Sequence, residues 1–96
     1  MLGAQYGEYY ASRISTTSLR YAHYEILEED KSFYGEIPSF QGVYASAPTL
    51  ETCREQLEEV LEEWVLFRIH KNLPLPQIDG IELNHYALKV HRLLLD

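Results

Sequence analysis

The stretch from Thr49 to Asn72, "TLETCREQLEEVLEEWVLFRIHKN", limits the fold more than any other part of this chain. Leu50, Cys53, Leu57, Val60, Leu61 and Trp64 recur at helical spacing, Thr49 is placed to cap the first amides, and "LPLP" interrupts the run after Asn72. The spacing predicts a helix over about Leu50 to Lys71, with Arg68, His70 and Lys71 at the negative end of its dipole. At about 1.5 Å per residue it would be roughly 33 Å long, enough to cover a three-stranded sheet and project beyond it. Its last two turns are apolar all round, because Val65, Leu66, Phe67 and Ile69 crowd beside Trp64. One face cannot hold them all. The surplus must meet the tail or a second subunit, and Trp64, Phe67 and Ile69 are the residues expected at a self-association surface.

Period-two patterning precedes that helix. Tyr24 and Ile26 alternate with His23 and Glu25, which predicts a strand over about Tyr21 to Glu28. "EEDKS" supplies a polar turn, and Phe33, Gly35 and Ile37 then alternate with Tyr34 and Glu36 until Pro38 removes a ladder donor. After "SFQG", Val43, Ala45 and Ala47 alternate with Tyr44 and Ser46 as a third strand. "DGIEL" restarts strand character, and "NHYALKVHRLLLD" fits either helix or strand. Residues 1–17, rich in Tyr, Ser, Thr and Gly without clear periodicity, read as a loose arm with a short helical turn. The expected organisation is an arm over 1–20, one folded unit over 21–83 and a tail over 84–96, in an α+β fold.

At 96 residues the chain suits one domain with a modest core, and self-association is a common supplement at this size. Its formal net charge of −7 repels phosphate and anionic lipid, which makes free nucleic acid a poor match and a basic protein a better one. No apolar stretch is long enough to span a bilayer, and "MLGAQYGEYY" lacks the basic and apolar regions of a secretory leader. A single cysteine, Cys53, cannot form an internal disulfide. A cytoplasmic protein is the expectation.

The segment "EILEEDKSFYGEIPSFQGVYASAPTLETCREQLEEVLEEWV" resembles the HicB antitoxin family. That family's pattern is a hairpin, an E-I-P-x-x-x-G turn, a third strand, a threonine-capped acidic helix and a Pro-containing exit; the likeness covers about Tyr24 to Gly80. Two turn positions depart from it, since the family often has Gly where this chain has Lys31 and Pro where it has Gln41. Many members also carry a DNA-binding segment after this unit, whereas about twenty residues follow Pro76 here. The resemblance implies a partial ribonuclease-H-like fold, a three-stranded antiparallel sheet packed on one long helix with a fourth strand returning beside the first. It also implies a function: neutralising a HicA-type toxin, a small basic protein that cleaves messenger RNA.

The residues themselves offer little chemistry. Glu51, Glu55, Glu58, Glu59, Glu62 and Glu63 include like-charged neighbours four apart, each costing a few tenths of a kcal/mol on an exposed helix. They read as a solvated face or a docking face. Two-metal nuclease chemistry would need them to converge with Glu25, Glu28, Glu36 or Asp79, and nothing in the spacing requires that. His23, His70, His85 and His91 are scattered, and Cys53 falls on the inward stripe as a small core residue. Tyr6, Tyr9 and Tyr10, with only Arg13 and Arg20 near them, read as arm packing against a second subunit rather than base stacking.

No catalytic residue, metal ligand or cofactor is therefore expected. The expected function is antitoxin-like binding of a HicA-type toxin through Glu55, Glu58, Glu59, Glu62 and Glu63, with Tyr34 and Tyr44 adding contact area on the opposite sheet face from Phe33 and Val43. One alternative is a stand-alone oligomeric scaffold or ligand-binding module of the same fold. Another is a DNA-binding autorepressor, for which Lys89 and Arg92 are the available basic residues.

Overall fold

A computed structural model describes the backbone of residues 2–95 and the side chains of Tyr10 and of residues 12–92. The elements run α1 (Leu2–Leu19), β1 (His23–Ile26), β2 (Phe33–Glu36), β3 (Tyr44–Ala47), α2 (Leu50–His70) and α3 (Asn84–Leu95). The three strands form one open antiparallel sheet in the order β1-β2-β3. The α+β class and the antiparallel sheet on a long helix are as the sequence predicts. The molecule is elongated, 48 × 28 × 20 Å.

Alternation sets the sheet's two faces. Ala45 and Ala47 are buried and Tyr44 and Ser46 exposed, as a strand with one face on a core requires. Register aligns Tyr24 with Gly35 and Gly35 with Ala45, so these share the face under α2. Between β2 and β3 the chain folds back through backbone bonds from Phe40 to Ile37 and from Val43 to Phe40. Phe40 is 1% exposed there, stacked on Trp64 with ring centroids 4.7 Å apart.

Helix α2 begins at the predicted cap, where the Thr49 hydroxyl accepts from the Thr52 amide at 3.1 Å. It ends in a left-handed Asn72 (φ 54°): the Asn72 amide bonds Ile69 O and the Leu73 amide bonds Arg68 O, the two bonds of a Schellman motif. Its buried residues, Cys53, Leu57, Leu61, Val65 and Ile69, recur every fourth position. Four residues turn an α-helix through about 400°, so this stripe advances by about 40° each time. Along this stripe α2 covers β2 and β3 and meets α1 and α3, with Cys53 bonded to Ala45 O near its start and Ile69 O receiving His91 near its end.

Two expectations are corrected, the loose arm and the fourth strand, and the open choice for the tail is decided. The segment expected as a loose arm is helix α1, which packs on α3 and α2. Hydropathy hid it because part of its buried face is serine. Ser18 is fully buried and donates to Ile14 O at 2.6 Å, satisfying its hydroxyl within its own helix. The tail is helix α3, anchored where the His91 Nδ1 donates to Ile69 O at 2.9 Å. A returning fourth strand is absent from the described residues. Ile78 and Ile81 bond each other instead, across Asp79 (φ 49°) and Gly80 (φ 79°), which uses their ladder groups in a tight primed turn. Among the described residues, no helix is long and apolar enough to cross a membrane.

Candidate functional site

With the buried stripe inward, the remaining residues of α2 sort into columns by the same four-residue step. Glu55, Glu59, Glu63, Phe67 and Lys71 form the column opposite the core; Arg54, Glu58, Glu62, Leu66 and His70 lie beside it, and all ten are exposed. Val60, Trp64 and Arg68 fall on the other flank and are half-buried. The five predicted docking glutamates thus share one surface. Arg54 is the only cation among them until the last turn and the cap.

The other predicted docking residues lie elsewhere. Tyr34 pairs with Glu25 and Ser46, and Glu36 with His23 and Tyr44, so these six side chains occupy the sheet face turned away from α2. The Tyr34 and Tyr44 rings stack at 6.2 Å, and the Tyr34 hydroxyl donates to Glu36 Oε2 at 3.2 Å. Partial burial, then the Glu36 bond and the nearby Glu36 and Glu25 charges, push the Tyr34 phenol up. The glutamate surface and the tyrosine pair have the sheet between them. A single rigid partner docked flat on one does not reach the other.

The predicted self-association residues are divided as well. Ile69 is 1% exposed and carries α3. Trp64 is held by Phe40 on one side and by the Arg68 guanidinium 5.0 Å from its ring on the other. Arg68 also donates to Pro74 O through Nε at 3.0 Å and Nη2 at 2.7 Å, tying the exit of α2 to its last turn. Of the three residues, Phe67 alone is surface-exposed, at 58%. Leu66, part of the apolar surplus but not among the three residues expected at the interface, stands beside it at 42%.

The nuclease candidates do not meet. Glu25 and Glu36 sit on the sheet face away from the α2 glutamates, and among the described residues no group of three or more His, Cys, Asp or Glu is placed to hold a metal ion. Cys53 is buried, its thiol pushed up by that burial and donating to Ala45 O at 3.6 Å. A protonated, enclosed thiol has little nucleophilic character. Tyr10 packs against Tyr86 at 6.3 Å, with Lys89 Nζ 4.9 Å from its ring, within the chain itself. The side chains of Tyr6 and Tyr9 lie outside the described ones.

The profile of the UPF0150-like family matches residues 14–76, a span containing all three strands and the whole of α2. The crystal structure of TTHA0281 from Thermus thermophilus is similar, with a TM-score of 0.68 at 30% identity over 76% of this chain and 90% of that one. No curated protein matches the chain.

Proposed function

The chain belongs to the UPF0150-like family, one related to the HicB-like antitoxins, and on that premise we propose that it is an antitoxin-like binding domain for a small basic protein of the HicA type. The observation that carries this reading is the outward surface of α2. Glu55, Glu58 and Glu59 stand exposed on adjacent columns, joined by Glu51 in the first turn and opposed there only by Arg54.

Like charges four apart destabilise the helix slightly, by a few tenths of a kcal/mol per pair. A cationic partner turns that repulsion into attraction. It also hastens encounter, since summed fields of opposite sign steer diffusion and disfavour acidic competitors. In this mechanism the domain performs no covalent step: it covers or diverts the basic surface with which the toxin holds RNA.

The reading is tested by calorimetric titration of the purified chain with a HicA-type toxin, at two salt concentrations. Binding that weakens with salt, is lost in the Glu55→Lys/Glu58→Lys/Glu59→Lys variant, and abolishes RNA cleavage at the same stoichiometry is expected. Binding unaffected by those reversals removes the α2 surface from the mechanism, and no binding at either salt favours a scaffold of the same fold.

A further inference from the structure

The second half of α2 carries a surface that the reading above does not use. Leu66 and Phe67 are 42% and 58% exposed, although both lie in the interior of a helix whose opposite side is core. On the same two columns, Glu62 and Glu63 stand one turn before them and His70 and Lys71 one turn after. The surface therefore reads acidic, apolar, basic along the helix axis. Among the described residues no ion pair or side-chain hydrogen bond engages Glu62, Glu63, His70 or Lys71.

That order is complementary to its own reverse. We infer that two copies of this chain pair through the last turns of α2, antiparallel about a two-fold axis that passes beside Leu66. The axis sets Leu66 against its own symmetry mate, with Phe67 closing over the junction. It also brings Glu62 and Glu63 of each copy opposite His70 and Lys71 of the other, so both halves of the interface gain attraction from one pattern. A parallel arrangement sets glutamate against glutamate and lysine against lysine and is repelled throughout. An acidic partner meets Glu62 and Glu63, and a basic one meets Lys71; a second copy satisfies both ends.

The sheets lie on the far side of each α2, outside this pairing. Glu55, Glu58 and Glu59 stay clear at its outer ends, one set per copy. The inference does not depend on the proposed basic partner, and its test contains none.

The test is sedimentation of the full chain with two charge variants and one apolar variant, each checked by circular dichroism. The native chain is expected to be a dimer that dissociates on dilution. Phe67→Glu alters a side chain more than half in solvent, so the fold is retained while the dimer is lost. Lys71→Glu and Glu62→Lys/Glu63→Lys each weaken self-association by about tenfold or more, as like charges come to face each other. Mixed in equal amounts, those two variants form a heterodimer, because the native Glu62 and Glu63 of one copy then face the native His70 and Lys71 of the other, and the glutamate introduced at 71 faces the introduced lysines. A chain that is monomeric up to about 1 mM, a dimer indifferent to Phe67→Glu, or a mixture of the two charge variants that stays monomeric overturns the inference.

Discussion

The Tyr24 ring closes over Gly35. A Cβ at residue 35 would come within 2.7 Å of the Tyr24 ring and 3.3 Å of Cys53 Sγ. The glycine is thus a space that the edge-strand ring fills between sheet and helix. Gly35→Ala is expected to destabilise the chain by about 1–3 kcal/mol through overpacking, measured by urea unfolding. Adding Tyr24→Ala is expected to recover much of that loss, as removing the ring removes the clash. Equal costs in the two backgrounds would place the strain elsewhere.

Lys31 sits in the left-handed region at φ 60°, at the tip of the β1–β2 hairpin. An L side chain there is strained by roughly 1–2 kcal/mol, whereas glycine adopts the same conformation freely at some cost in unfolded-state entropy. Lys31→Gly is therefore expected to stabilise the chain by about 0.5–1 kcal/mol. A rise in the thermal midpoint checks this, and a fall contradicts it.

Asn84 bridges the segment before α3 to the helix itself. Its Oδ1 accepts from the Leu75 amide at 2.7 Å, and its Nδ2 donates to Leu75 O at 2.9 Å. Leu75 is 2% exposed, so its amide has no ready access to water. Asn84→Ala is expected to cost about 2 kcal/mol by leaving those groups unsatisfied. Asn84→Asp keeps an acceptor for the amide but turns a carboxylate towards Leu75 O and Glu82, so it should recover little at neutral pH. Urea denaturation distinguishes the two.

Acid should loosen the start of α3 through Glu82. Its carboxylate accepts from the Asn84 amide at 2.8 Å and from Gln77 Nε2 at 3.3 Å, and the backbone bond from Asn84, then the Gln77 and Asn84 side chains, hold its pKa below the ordinary glutamate value. A carboxyl with a lowered folded-state pKa contributes stability that is complete above its unfolded pKa and lost as pH falls through the folded one. The protection factors of the 84–87 amides, exchange rates corrected for the intrinsic pH dependence, are expected to fall across that window and to lose this acid sensitivity in Glu82→Gln. An NMR titration midpoint at or above the ordinary glutamate value would contradict the assignment.

What the sequence revealed follows from where its signals were local. The α2 cap at Thr49, its four-residue core stripe and the alternation of Tyr44, Ala45, Ser46 and Ala47 each depend on neighbours a few residues apart, and all were legible. Helix α1 was not, because its buried Ser15 and Ser18 read as surface to a hydropathy pattern. Ile78 and Ile81 look like strand residues, but Asp79 and Gly80 return the chain so tightly that they bond each other. For the surfaces, composition identified the glutamates and the apolar surplus but could not divide them. Only the arrival of α3 over Ile69, and of Phe40 and Arg68 around Trp64, leaves Leu66 and Phe67 as the exposed remainder.

The central claim, that the acidic first half of α2 receives a basic protein, is tested most directly by mapping amide shifts of the isotope-labelled chain during titration with a HicA-type toxin. The account predicts that the largest changes follow residues 51–59, with the sheet face of Glu25, Tyr34, Glu36 and Tyr44 left unchanged. Changes centred on that sheet face, or a spectrum that does not move at saturating partner, would contradict it.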